Sequence, residues 1–392
     1  MNKRKLKETA QILSTPCYIF DRDIFNKRMD RVKKAFGENV GLCYSIKANP
    51  FMTKFIPKTA QYLEVCSPGE LSVCERVGAD LSKIIFSGVN KGYEDVCRAA
   101  DDKAAIFTAE SRRHLELINK AFEGRGTKAD VILRLSHGSQ FGIDEEELIS
   151  LIKEKAEFEN VQIIGLHYFT GTQKAKAEKI AKELDRLDTL LTKLKSELSF
   201  EPTHIEYGTG LAVEYYKDFT EQTELDLLDE TAKYIRAFGE KYPLTVEMGR
   251  FFAASCGYYL TSIADIKTVD GINYVICDGG INQLNYYGQN MAMKIPPIEL
   301  LSDKEGETLD YCLCGSLCTT ADILVRKVSL PRLEIGDTLI FSKCGAYSVS
   351  EGISLFLSRA LPAVAVYSEA EGLSVLRERT DTFTLNCGGG IN

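Results

Sequence analysis

No apolar run in this sequence approaches the ~18 residues that a membrane-spanning helix needs, so no segment is a candidate for crossing a bilayer. No long basic run is present and the formal net charge is −8, which argues against a nucleic-acid partner. The stretch from Met1 to Lys7 is basic, but residues 8–15 supply no apolar core for a secretory signal, and none is expected. Cysteine is plentiful, at twelve residues, yet it lacks pattern. Cys43, Cys66, Cys74, Cys277 and Cys312 all sit in apolar stretches, as small buried hydrophobes of a reducing cytoplasm do. Cys312, Cys314 and Cys318 form no C-x-x-C pair and have no nearby histidine, so no metal site is expected.

What is present is the composition of an ordinary soluble globular protein, 44% apolar and 27% charged. At 392 residues the chain exceeds what one core usually supports, which predicts one large domain and one smaller. Eight short apolar runs occur between residues 40 and 252, at 42–46, 62–66, 84–87, 105–108, 131–135, 163–169, 204–207 and 244–247. Helix-compatible segments separate them. The clearest is 175–198, where Ile180, Leu184, Leu187, Leu191 and Leu194 mark one face at helical spacing. Eight alternating βα units predict a closed (β/α)8 TIM barrel of the α/β class. An open doubly wound sheet is the weaker alternative, because no G-x-G-x-x-G follows the first strand.

After about residue 256 the helical rhythm fades. Runs at 258–266, 274–277, 338–341 and 363–367 read as strands between Gly, Pro and Asp turns, and 330–336 as a turn into a strand. These predict a C-terminal β-rich domain, a β-barrel or sandwich. The expected division is a barrel over 26–254, with 1–25 and 255–392 forming the β-rich domain. The Gly-rich tail after Cys387 is expected to fray.

The chemistry is carried by strand ends. Tyr44-Ser-Ile-Lys-Ala-Asn-Pro50 places Lys47 at the exit of the first barrel strand, with Pro50 stopping any ladder or helix. A lysine there can be desolvated, and a neutral amine forms a Schiff base with an aldehyde; a surface loop lysine is the alternative. Glu64, Ser67 and Glu70 end or follow the second strand, and Arg134 lies in the fifth. His167-Tyr-Phe-Thr-Gly-Thr-Gln173 ends the sixth, Glu206-Tyr-Gly-Thr-Gly-Leu211 the seventh and Glu247-Met-Gly-Arg250 the eighth. In a barrel these ends share one rim. Gly208-Thr209-Gly210 could expose backbone N–H groups to an anion, helped by a following helix, although a lone G-x-G is more often a plain turn. Phosphate, lysine and carboxylate on one rim suggest pyridoxal phosphate, with Glu247 at the pyridine nitrogen.

On these residues the chain resembles the barrel-type (fold type III) pyridoxal-phosphate decarboxylases, the family of diaminopimelate, ornithine and arginine decarboxylases. The matches run from about residue 15 to 365. They add Val65-Cys-Ser-Pro-Gly-Glu-Leu71, Gly171-Thr-Gln173, Cys314-Gly-Ser-Leu-Cys-Thr-Thr-Ala-Asp322 and Gly345-Ala-Tyr347 to the motifs above. The resemblance implies that Lys47 is the Schiff-base lysine. It implies a phosphate site of Gly208, Thr209, Gly210, Thr172 and the Glu247–Arg250 backbone including Gly249, reached by Tyr347 from the second domain. Glu64, Arg134 and Phe169 complete the expected cofactor shell, and Arg250, Tyr287 and Thr319 the substrate contacts. Cys318 would be the acid that reprotonates the substrate carbon, supplied across a homodimer so that each site uses two chains.

Three departures from the family pattern matter. Commoner members carry a second histidine where this chain has Phe169, which offers a ring face but no proton. His167 is two residues earlier on the same strand face, and reads as a barrel-interior residue rather than the ring-stacker. Diaminopimelate decarboxylases hold the distal amino-acid centre with an Arg after the Asp-Gly-Gly turn and a Glu after the cysteine. Here Asp278-Gly-Gly280 is followed by no Arg before Arg326, and Thr319 follows Cys318. Each lost charge-assisted contact costs on the order of 1.5–3 kcal/mol. The variant motifs resemble decarboxylases of specialised pathways, some acting on aminoacyl groups tethered to an acyl carrier protein. Diaminopimelate decarboxylation and amino-acid racemisation are the alternatives. A non-enzymatic cofactor carrier is disfavoured by the second domain and Cys318. A dead regulator usually lacks the lysine or the cysteine, and both are present here.

Overall fold

The computed structural model describes residues 1–216, 220–286, 292–304 and 306–387. The chain divides into two compact units. One comprises residues 28–213 and 221–252, the other 1–27, 214–220 and 253–392.

Strand β1, Cys17–Asp21, belongs to the latter unit. The former is built on β2 (Gly41–Ser45), β3 (Tyr62–Val65), β4 (Ile84–Phe86), β5 (Ile106–Ala109), β6 (Ala129–Leu135), β7 (Val161–Phe169), β8 (His204–Gly208) and β9 (Leu244–Met248). Each pairs in parallel with the next, and β2 closes on β9 through Gly41↔Thr245 and Cys43↔Glu247. The expected TIM barrel is therefore what the chain forms. Cys43, Ile85, Ile106 and Ile132 fill its interior, one side chain from each of four strands. The helix between β7 and β8 runs over Ala177–Leu198, two residues inside the predicted start. Its predicted face, Ile180 to Leu194, is buried, at roughly 2 kcal/mol per leucine, and Ser199 ends it in the left-handed region at φ 51°.

The other unit continues with β10 (Gly257–Val269), β11 (Ile272–Cys277), β12 (Ile298–Leu300), β13 (Thr308–Cys314), β14 (Ile323–Pro331), β15 (Thr338–Ser342), β16 (Ala363–Ser368) and β17 (Gly372–Arg377). The path runs β14-β13-β11-β10-β1-β16-β17, with β15 joining β10 to β12. The expected N-terminal contribution is β1, antiparallel to β10 and parallel to β16. Leu330 and Pro331 complete β14, so the predicted turn at 330–336 begins two residues later than read. Leu6, Leu13, Cys17, Ile19, Leu260 and Ile340 share this unit's core. All twelve cysteines are free thiols. Among the described residues no helix is long and apolar enough to cross a membrane.

Candidate active site

Lys47 stands in one 3-10 turn, Ile46–Ala48, directly beyond β2. Tyr44 donates its hydroxyl to the Asn49 carbonyl at 3.1 Å, and the Asn49 side chain accepts from the Phe51 N–H at 3.1 Å. The strand has already ended at Ser45, and Pro50, expected to stop any ladder or helix, instead opens a second 3-10 turn, Pro50–Phe55. The reason is positional: at the first residue of a turn the missing N–H has no partner to lose, and the fixed φ suits the helix. On the facing strand end, a Cβ at Gly249 would lie 2.8 Å from the Ala48 Cβ and 3.2 Å from that of Ser45. Only glycine lets β9 approach the lysine turn so closely.

The Lys47 Nζ lies 2.6 Å from Glu64 Oε2 and 3.6 Å from Glu247 Oε1. The lysine side chain is 38% exposed and the two carboxyl groups 4% and 9%, so the amine faces the opening with its counter-charges beneath it. Ser45 donates to Glu247 Oε1 at 2.8 Å, and His167 Nε2 is 3.1 Å from Glu247 Oε2. The Cys66 thiol is 3.4 Å from the amine. Burial by itself would raise the Glu247 pKa. The Lys47 charge, the His167 hydrogen bond and charge, and the Glu64 hydrogen bond more than offset that and hold it well below the carboxylate range. Burial and repulsion from Glu247 instead push Glu64 up, against the pull of Lys47.

Beneath this layer Glu206 is fully buried, with neither carboxyl oxygen hydrogen-bonded. Burial, then Glu247 and Glu64, raise its pKa well above normal. One reachable amine and one held carboxylate thus meet on the rim, above a buried carboxyl whose pKa is raised.

The glycine loop adjoins them. Gly208 pairs with Phe169 in register, and the phenyl ring lies against its backbone. Gly210 has φ +58°, and a Cβ there would sit 2.0 Å from the Gly171 carbonyl oxygen, so the loop packs directly on 171–172. The Lys174 N–H donates to the Gly210 carbonyl at 2.8 Å. The Thr209 hydroxyl is buried without a partner, and Thr172 is exposed beside it. The helix that follows, Glu221–Lys241, begins eleven residues after Gly210, and Leu211 pairs in a β-bridge with Lys174. Gly249 precedes the short helix Arg250–Ala253, which places Arg250 at the same strand end as Glu247. Arg134 is engaged by Glu110 at 2.8 Å and lies over the Phe141 ring.

Cys318, Thr319 and Tyr347 belong to the other unit. Cys318 is exposed, in the loop between β13 and β14. Asp322 holds that loop by accepting from the Leu317 N–H at 2.7 Å and the Ile281 N–H at 2.9 Å. Arg359 donates to the Ser316 carbonyl at 2.7 Å. Tyr347 has φ +66°, and its carbonyl accepts from Ser350 and Glu351 at 2.9 Å each. Tyr287 lies outside the described residues.

Sequence reasoning missed the parts played by Ser45, His167 and Cys66, and it missed Lys91. Lys91 is buried beyond β4, donates to the Gly88 carbonyl, and is pushed down to about 8 by burial. The one available signal for His167 was its shared strand face with Phe169.

The family model for the pyridoxal-binding domain of pyridoxal-dependent decarboxylases matches residues 22–254. The chain belongs to that family. Among curated relatives, the diaminopimelate decarboxylase of Aquifex aeolicus is 25% identical, over 95% of this chain and 91% of that protein. The L-glutamyl-[BtrI acyl-carrier protein] decarboxylase of Niallia circulans is 26% identical, over 92% and 91%. A crystal structure of diaminopimelate decarboxylase from M. jannaschii superimposes with a TM-score of 0.87 at 26% identity, covering 98% of this chain and 94% of that one. Membership of a pyridoxal-dependent decarboxylase family implies pyridoxal phosphate, and the barrel rim fits it. The reachable amine, the anionic Glu247 below it and the glycine loop with its unpartnered Thr209 hydroxyl match an aldehyde, a cationic ring nitrogen and a phosphate.

Proposed function

We propose that this decarboxylase removes the α-carboxylate of an amino acid other than free diaminopimelate, with an aminoacyl group presented on an acyl carrier protein as its preferred form. The observation that carries the cofactor half is the Lys47–Glu64–Glu247 cluster at the barrel mouth. The substrate half is supported by two replaced contacts. No arginine follows Asp278-Gly-Gly280 before Arg326, and Thr319 stands after Cys318. A relative that acts on a carrier-bound glutamyl group agrees with it.

Bound pyridoxal phosphate supplies a ring that accepts the electron pair left when carbon dioxide departs. The protein's residues do the rest. Lys47 Nζ would be the residue that holds the aldehyde carbon of the cofactor. Glu247, fixed by Ser45 and His167, keeps a proton on the ring nitrogen. Gly208–Gly210, Thr172 and Tyr347 would hold the phosphate, Phe169 would offer its face to the ring and Arg250 would orient the substrate. Cys318 returns a proton to the α-carbon of a substrate seated in a second copy of the chain.

The test is a panel of free and carrier-bound amino acids assayed for released carbon dioxide, with borohydride trapping of pyridoxyl on Lys47. Release from carrier-bound substrates, and a Cys318→Ala variant that keeps the pyridoxyl label but loses most turnover, are expected. A second reading, diaminopimelate decarboxylase, is favoured by the Aquifex relative. Efficient release from free diaminopimelate would replace the first reading with it. An unlabelled Lys47 would remove both.

A further inference from the structure

The loop that carries Cys318 borders a cavity of about 520 Å³ within its own unit, lined also by Lys267, Arg359 and Arg379. None of these three cations makes an ion pair among the described residues; Arg359 donates only to the Ser316 carbonyl. Two acids line the same cavity, Asp265 and Asp278. Asp278 is turned to structural use. It accepts from Thr15 at 2.7 Å, Thr261 at 2.6 Å and the Ser262 N–H at 2.9 Å. Asp265 accepts from the Ile266 N–H at 2.9 Å. Elsewhere on the surface Arg112 shows what a guanidinium does when carboxylates are within reach, bonding Glu147 and Glu154 at 2.8 and 2.7 Å. What sets Lys267, Arg359 and Arg379 apart is their place, three exposed cations gathered around one concavity beside an exposed thiol.

We propose that this cavity is an anion subsite which seats the distal negative group of the substrate, a carboxylate or a phosphate ester, next to Cys318. The inference rests on the reading of Cys318 as the residue that faces the substrate, and it gives the chemistry of the end that the sequence left unspecified. A distal ammonium would meet like charge here. A carboxylate would gain two or three donors, with the guanidinium forks of Arg359 and Arg379 suited to bidentate contact. A free dicarboxylic amino acid and the phosphate of a carrier's pantetheine arm share that chemistry.

The field around Cys318 can be read without any turnover. On the full chain, alkylation of Cys318 by anionic iodoacetate and by neutral iodoacetamide is followed peptide by peptide with mass spectrometry. The urea-unfolded chain gives the intrinsic ratio. A concentrating basic cavity should raise the native iodoacetate preference roughly tenfold over that ratio. About 0.5 M salt should abolish most of the excess, because the cations are exposed and the Debye length is then only a few ångströms. The exposed double variant Lys267→Ala/Arg379→Ala, which leaves the Arg359 anchor intact, should lower it towards the unfolded value. A native ratio equal to the unfolded one, or one unchanged in the double variant, overturns the proposal. Protection of Cys318 from iodoacetamide then separates the sources. Glutarate protecting points to a free dicarboxylic substrate, 4′-phosphopantetheine to a carrier arm, and protection by neither removes the subsite. A protein that passes these tests yet releases no carbon dioxide from any amino acid keeps the subsite and loses the decarboxylase reading; the converse result does the reverse.

Discussion

Replacing His167 with leucine tests the electrostatic core of the site. His167 Nε2 is 3.1 Å from Glu247 Oε2, and both side chains are nearly inaccessible, at 2% and 9%. A hydrogen bond to a buried charged group contributes about 1.5–3 kcal/mol, equivalent to one or two pH units of carboxyl pKa. Glu247 has its pKa depressed in the folded state. Its stabilising contribution is therefore fully present above the unfolded carboxyl value, ~4.3, and is lost as pH falls through the depressed folded value. His167→Leu should raise the folded value, so the loss begins at higher pH. At pH 7 the variant should melt roughly 3–12 °C below the parent, at about 2–4 °C per kcal/mol for a unit of this size. Calorimetry of the cofactor-free protein across pH 4–8 is the assay. His167→Gln, which keeps a donor near the same place, should recover most of the loss. If His167→Leu melts like the parent at pH 7 and its acid limb does not move, Glu247 is held by something else.

Lys47→Ala should fold, since its side chain is part-exposed, but should lose the absorption band of bound pyridoxal phosphate; a retained band would move the attachment point elsewhere. Glu206→Gln should be close to the parent in stability at pH 4 and gain on it as pH rises. A group with a raised folded pKa loses its stabilisation above the unfolded value, by about 1.4 kcal/mol per pH unit, until the folded value is reached. Parallel stability curves for the two proteins would show Glu206 to be ionised at neutral pH. Gly210→Ala should cost about 1–3 kcal/mol and weaken phosphate binding severalfold, because φ +58° and the Gly171 carbonyl both exclude a side chain; equilibrium dialysis against pyridoxal phosphate would read the second effect.

The barrel was legible because each of its strands is a short, almost wholly buried apolar run, and eight such runs leave few topologies. The β-rich unit was less so. β14 carries Arg326 and Lys327 on an exposed stretch, and β13 has one face half-open, so neither presents a continuous apolar run. β12 has only three residues. Lys47, Glu247 and the glycine loop announced themselves through residue type at strand ends. The roles of Ser45 and His167 did not, because their bonds to Glu247 span 202 and 80 residues and leave no local trace.

Lys47 and Glu247 hang from β2 and β9, the first and last staves of the cylinder, which meet at its seam. An incompletely wound chain, lacking its last stave, keeps the amine and its Glu64 partner but has no Glu247, the carboxylate meant for the ring nitrogen, and so has no competent site. Occupancy by the cofactor should then report on, and reward, closure of that seam, so that a nascent or damaged barrel stays colourless and a finished one is clasped by the molecule it was built to use.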